Sequence, residues 1–416
     1  MNIKKMDDIC EFINGGAWSD KEYVNSGLPV LKVSNCKNSG FQVEDINYLP
    51  VSSKEKYEKH RLSTGDVVIA TVGSHPNRVE SAAGRSIIVN SLVDGFYLNQ
   101  NAVCLKTKDS EVLDQRYLGY LCKERTFVHY IQNKGRGAAN QMRIAIGAIK
   151  AYEFDLPEIN VQRQIANVLS DFDNLIENNK KQINLLEEAA ERLYREWFVD
   201  LHFPSYENVK IADGVPEGWE REKLSDIFDY VRGKSYTSKE IVNAGGVLMI
   251  NLKNIKAYGG YNRNAEKRFI GKFKDEQTLN VGDIVMGITD MTQERRLVGQ
   301  VAIIPDLGEK MTFSMDLIKI IPKKVTRGFL YETMLYGGLS KRLSLLANGV
   351  NVLHLKPEAM MDMKILIPNC SIMKQYDAMF EIYYRRIEVL QKQCDIAREA
   401  HNRLLPKLMS GEIKVN

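Results

Sequence analysis

Apolar residues recur every three or four positions along two stretches of the chain. After Ile165, the series Leu169, Phe172, Ile176, Asn179, Ile183, Leu186, Ala190, Leu193 and Trp197 alternates steps of four and three, a heptad seam with one polar member. A second seam runs Tyr376, Phe380, Tyr383, Ile387, Leu390, Cys394, Ala397, His401, Leu404 and Leu408. Neither stripe can be buried by a single helix, and a helix of roughly 35 residues extends about 50 Å. The two helices are therefore predicted to pack on each other as an antiparallel coiled coil. Asn179 either fixes their register or marks a solvated break.

The segments between the seams carry shorter patterns. Val67-Val68-Ile69-Ala70 and Ile284-Val285-Met286-Gly287 each follow a Gly-Asp turn and read as strands; Gln115 to Gln132 and Arg327 to Leu346 read as helices. These similarities belong to an internal duplication. Lys5-Met6-Asp7-Asp8-Ile9 returns as Lys223-Leu224-Ser225-Asp226-Ile227, and Lys21-Glu22-Tyr23-Val24-Asn25 as Lys239-Glu240-Ile241-Val242-Asn243, at the same shift of about 218 residues. Pro157, Gln164, Ile176, Glu177, Lys181, Gln182, Glu188, Ala189, Arg192 and Leu193 return as Pro368, Gln375, Ile387, Glu388, Lys392, Gln393, Glu399, Ala400, Arg403 and Leu404. The expected order is a mixed globular domain at 1–157, a helix at 158–203, a second domain at 204–368 and a second helix at 369–416. Pro204, Gly214, Pro216 and Gly218 give the stretch between the halves a linker composition. An antiparallel helix pair implies a pseudo-twofold relation between the halves, with one globular segment near each end.

Composition narrows the function by exclusion. The chain has 416 residues, 44% hydrophobic and 26% charged, without a long apolar run or signal-like start, and is read as cytoplasmic. Its six cysteines show no CxxC spacing and its six histidines no HExxH, so no metal site is expected. The net charge of +4 is compatible with nucleic acid but does not select it. Gly233-Lys234-Ser235 resembles the end of a phosphate-binding loop, but Phe228 stands where that loop needs glycine. Pro305-Asp306 with Glu309-Lys310 has the wrong spacing for a nuclease acid cluster and reads as a surface turn. No methyltransferase Asn-Pro-Pro-aromatic or Asp-Pro-Pro-aromatic run occurs, so no catalytic residue and no cofactor site is assigned to this chain.

What remains is polar and basic. One stretch, from Ser74 through His75, Asn77 and Arg78 to Arg85, follows a strand in the first half. Its counterpart runs from Thr289 through Gln293 to Arg295 and Arg296. Arginine can pair bidentately with guanine, and Asn or Gln with adenine. A second pair of stretches occupies equivalent repeat positions: Lys134, Arg136, Asn140, Gln141 and Arg143 in the first half, Asn348 and Asn351 in the second. Their glycines allow close backbone approach to phosphate. Apart from Ser74, these fifteen residues are the candidate DNA contacts; the plainer alternative is that they line solvated surface loops and turns.

Leu193-Tyr194-Arg195-Glu196-Trp197-Phe198-Val199-Asp200, with the following Val215-Pro216-Glu217-Gly218-Trp219, resembles the first conserved region of type I restriction-modification specificity subunits and its junction with the next domain. Leu405-Pro406-Lys407-Leu408-Met409-Ser410-Gly411-Glu412-Ile413 resembles the second, and Val161-Gln162-Arg163-Gln164-Ile165 the helix start. The first half lacks a counterpart of Gly218-Trp219. The resemblance spans essentially the whole chain. It implies two α/β (α+β) target recognition domains, each reading one half of a bipartite site in double-stranded DNA, and paired helices that set the spacer. It further implies two methyltransferase subunits, docked near Arg192, Arg195, Phe198 and Arg403, which support restriction and translocase subunits. The assembled complex would methylate adenine and cut DNA with ATP, with S-adenosylmethionine, ATP and magnesium on the partners. A type IIB-like specificity subunit and a coiled-coil scaffold without DNA binding are the alternatives.

Overall fold

The computed structural model describes residues 2–37, 40–41, 43, 46–74, 82–138, 141–263 and 265–415. Among these, six helices have six residues or more: α1 (Gln115–Lys123), α2 (Arg125–Asn133), α3 (Ile159–Phe198), α4 (Arg327–Leu335), α5 (Leu339–Ser344) and α6 (Cys370–Met409). The chain divides into two compact units, Met1–Asn178 with Gln393–Asn416, and Asn179–Lys392. Each unit thus takes one globular segment and a piece of both long helices, a division by packing that differs from the division by element order.

The first unit is built on an antiparallel sheet ordered Cys10–Asn14, Ala102–Thr107, Val67–Ala70, Ser86–Ile88. Residues 67–70 are all buried because successive side chains point to opposite, equally covered faces. Val67 and Ile69 join the larger core with Tyr117 and Leu118 of α1, while Val68 joins Leu31, Val89 and Leu98 on the other side. The larger core also takes Ile165, Ala166 and Leu169 from α3 and Leu408 from α6. The single helix expected over Gln115 to Gln132 is two: Glu124, at ψ 141, ends α1 and caps α2, its carboxylate accepting from the Thr126 and Phe127 N–H groups.

The second unit repeats the scheme. Its sheet order is Phe228–Arg232, Leu317–Pro322, Ile284–Gly287, Val301–Ile303, again antiparallel throughout. Ile284 and Met286 face one core with Phe329 and Leu330 of α4, and Val285 faces the other with Ile250 and Phe313. The helix expected over Arg327 to Leu346 is also interrupted, between α4 and α5, where Gly338 takes φ 71. The expected linker is partly structured: Phe203 is buried against Trp219, ring centroids 5.0 Å apart, in a small cluster with Ile372. In both units a short antiparallel pair ties the start of the globular segment to its end, Ile3–Lys5 with Glu153–Asp155 and Glu220–Lys223 with Lys364–Ile367.

The long helices run antiparallel inside each unit. In the first, the Cys394 thiol points to the Ile176 carbonyl at 3.8 Å, and His401 lies against Tyr120 and Asp173. In the second, Arg386 reaches Gln182 at 3.4 Å, and Tyr194 and Tyr376 meet with centroids 6.3 Å apart. Of the predicted seam, Leu169, Asn179, Ile183, Ala190, Tyr376, Phe380, Leu390, Cys394, Ala397, His401 and Leu408 are buried and the other members, such as Phe172, Leu186 and Trp197, half-buried, while Tyr194 and Met373 outside it are buried too.

Candidate nucleic-acid interface

The candidate loops, separate in sequence, are joined by strand pairing. In the first unit the central strand 67–70 continues through Thr71, whose carbonyl accepts from the Ile144 N–H at 2.8 Å. Val72–Gly73 then pairs with Gln141–Arg143, which pairs in turn with Arg136–Ala138. The stretch that begins at Ser74 and the stretch from Lys134 to Arg143 therefore leave one three-stranded sheet. Met142 is buried beneath it, so the paired Arg136 and Arg143 project from the opposite, exposed face. Like charges directly opposite each other are unfavourable, and an anion between them relieves the repulsion. Lys134 lies nearby in sequence, its ammonium 5.8 Å from the Tyr130 ring centre.

In the second unit Thr289–Asp290 pairs with Leu353–His354, and Asn348 and His354 exchange backbone hydrogen bonds of 3.0 and 2.9 Å. The turn between them exposes Gly349, Val350 and Asn351. Gly349 sits at φ 151, where an added Cβ would lie 1.9 Å from the Val352 carbonyl oxygen, so no side chain fits. Across from this turn, Gln293 donates to the Val350 carbonyl at 2.7 Å. The loop 290–298 is organised by Asp290, which is 1% exposed. One carboxylate oxygen accepts from the Thr292 N–H and hydroxyl, both at 2.9 Å, and the other from the N–H groups of Leu297 and Val298 at 2.6 and 3.3 Å. Burial alone would raise the pKa of this carboxyl; the converging donors hold it below the usual value. Arg295 is held at φ 55, a conformation that costs energy for a residue with a side chain, and its Nε is buried without a hydrogen-bond partner. Arg296 pairs with Glu294 at 2.5 Å.

The candidate contacts differ in their placement. Thr289 is not on an exposed loop: it is 5% exposed and donates to Asp316 at 3.1 Å. Arg85 turns its guanidinium inward to the Cys36 carbonyl. Asn348 is exposed, and its side-chain amide donates to the Leu346 carbonyl at 3.0 Å. Gln293, Arg296, Asn351, Lys134, Arg136 and Arg143 remain exposed. His75, Asn77, Arg78 and Asn140 lie outside the described residues, as does the side chain of Gln141. Asp290 was missed in sequence, although Asp290 followed two residues later by Thr292 is the pattern of a side chain that closes its own turn.

On the helices, Arg192 and Arg195 are exposed, Arg195 pairing with Glu191 at 3.0 Å. Phe198 is largely committed to packing within the second unit, 4.6 Å from the Tyr376 ring and 5.0 Å from Phe329. Arg403, in the first unit, is exposed and pairs with Glu399 at 2.5 Å. The acids around Pro305 serve surface ion pairs: Glu309 holds Arg268 through two hydrogen bonds of 2.8 and 2.7 Å, and Asp306 faces Lys392. Lys234 continues strand pairing, its N–H donating to the Phe313 carbonyl at 2.7 Å, instead of opening a helix. Among the described residues no helix is long and apolar enough to cross a membrane.

The family model described as type I restriction modification DNA specificity domain matches residues 1–188 and 216–394. Among curated proteins, the type I restriction enzyme MjaIX specificity subunit of Methanocaldococcus jannaschii is 25% identical, covering 100% of this chain and 94% of its own length. The MjaVIII specificity subunit of the same organism is 26% identical over 95% of this chain and 91% of its own. Among solved structures, the S subunit of a type I restriction-modification system from M. genitalium shares the fold, with a TM-score of 0.60 at 14% identity and coverage of 98% and 95% of the two chains.

Proposed function

Because the chain belongs to the type I restriction modification DNA specificity family, we propose that it selects the DNA target of a restriction-modification complex, each unit reading one half of a split site. The observation that carries this reading is the recurrence, at the same topological position of both units, of a short antiparallel pairing, Val72–Gly73 with Gln141–Arg143 and Thr289–Asp290 with Leu353–His354, beside the polar stretches. A scaffold has no need to repeat that device.

In the first unit, Arg136 and Arg143 offer paired positive charge to the phosphate backbone or guanidinium forks to guanine. In the second, Gln293, Arg295, Arg296 and Asn351 supply the polar contacts, on a loop held in place by Asp290. Phosphate contacts position the protein, and base contacts choose the sequence. The two long helices set the distance between half-sites, so the middle of the target is left unread. Their exposed flanks, with Arg192, Arg195 and Arg403, dock two methyltransferase subunits, and restriction and translocase subunits assemble on those. S-adenosylmethionine, ATP and magnesium belong to the partners, where adenine methylation and cleavage take place; this chain chooses the site. It acts in the cytoplasm, where its DNA is.

Methylome sequencing of cells carrying this subunit and its neighbouring methyltransferase, compared with cells lacking only this subunit, tests the assignment. A split methylated motif that disappears on deletion is expected. Replacing residues 1–157 with a homologous domain should then change one half of that motif; a change in both halves would overturn the two-reader arrangement. If no motif depends on the subunit, the assembled complex should be tested for preference between duplexes at several salt concentrations, and binding without preference would refute DNA selection.

A further inference from the structure

Among the described residues, the three most exposed large apolar side chains of the chain are Val350 at 89%, Met291 at 78% and Tyr258 at 69%. All three flank one loop. Met291 follows the paired strand residue Asp290, Val350 forms the facing turn and is tied to the loop by the Gln293 hydrogen bond, and the Tyr258 N–H donates to the Arg296 carbonyl at 3.1 Å. Single exposed apolar residues need no explanation, but the extremes of a whole chain gathered at one tip do. The backbone of this tip is also constrained, with φ 66 at Tyr258, φ 55 at Arg295 and φ 151 at Gly349. It is a built surface.

Building on the DNA-reading assignment above, we propose that Met291 and Val350 contact the 5-methyl groups of thymine in the major groove of the half-site read by the second unit. A two-stranded β-ribbon fits that groove, and the thymine methyl is the apolar feature that distinguishes one base pair from the others there. Arg295 on the same loop, beside the Arg296–Glu294 pair, and exposed Lys356 just after the facing strand favour a polyanion over an apolar protein face as the occupant. In place of the Val350 turn the first unit presents exposed Lys134 and Arg136.

The test replaces thymine with deoxyuridine, which removes only the methyl group, at each position of the methylome-defined target. Binding by the assembled complex is measured at fixed salt for the wild type and for Met291→Ser with Val350→Ser. For the wild type, deoxyuridine in the second unit's half-site should weaken binding about fourfold per contacted methyl, and deoxyuridine in the other half-site should not. The double variant should bind thymine and deoxyuridine duplexes alike. A wild type indifferent to deoxyuridine throughout that half-site overturns the proposal, as does a variant as sensitive as the wild type. A variant that keeps its deoxyuridine sensitivity but loses its methyltransferase subunits would assign the surface to a protein partner instead. A wild type that does not distinguish the target from a scrambled duplex refutes the DNA-reading assignment itself and this proposal with it.

Discussion

Glu332 is a carboxyl that no surface pattern would place: 4% exposed on α4, accepting a hydrogen bond from the Tyr376 hydroxyl of α6. Burial is the larger influence and pushes its pKa from 4.5 up to about 8, against the opposing effect of the Tyr376 bond. The folded unit thus favours the neutral acid. Its contribution is fully present below the unfolded value near 4.5 and is lost as pH rises through about 8. Thermal melting of the wild type should fall by on the order of 5 °C between pH 5 and pH 8 on account of this group. Glu332→Gln, which keeps an acceptor for Tyr376, should flatten that dependence; an unchanged slope would mean the carboxylate is solvated. Seen from sequence, Glu332 is the one acid in the stretch Arg327 to Leu346, and only packing against α6 shows that it is buried.

At the scale of elements, the start of α3 depends on one amide. Gln162 is fully buried; its oxygen accepts from the Asp114 N–H at 3.0 Å, and its nitrogen donates to the carbonyls of Val112 and Pro157 at 3.0 and 2.8 Å. It lies in the helix-start pattern that carried part of the family resemblance, and these bonds give that residue a physical reason. Gln162→Leu fits the volume but leaves three backbone groups without partners, each costing about 1–3 kcal/mol when buried. Urea unfolding should show a loss of at least about 2 kcal/mol, less than the sum because water can reach relaxed groups. A neutral outcome would show that the amide only fills space. The strands 67–70 and 284–287 match their predicted ends because apolar runs after Gly-Asp turns are local signals. The helix breaks at Glu124 and Gly338 were missed because apolar periodicity continues across them, and only the fit of two short helices to the sheet forces the turn.

For the whole molecule, each unit has its own cores, so damage to one reading loop should stay within that unit. Asp290→Ala removes the four hydrogen bonds that shape loop 290–298. The assembled complex should then lose at least about tenfold in discrimination for the second unit's half-site, a typical consequence of one lost base contact or more. Discrimination for the other half-site should be retained, as binding to duplexes with each half scrambled in turn will report. Equal loss at both would show that the units do not read independently. The sequence by itself determined the duplication, the two seams and the family, because repeats, heptads and conserved-region motifs are written in neighbouring residues. Tertiary structure alone decided that residues 72–73 meet 141–143 and that 289–290 meet 353–354, since strand pairing over such separations depends on which buried faces the sheet offers. It likewise turned Thr289 and Arg85 inward and left Met291 and Val350 at the tip, because exposure belongs to the packed chain and not to the residue.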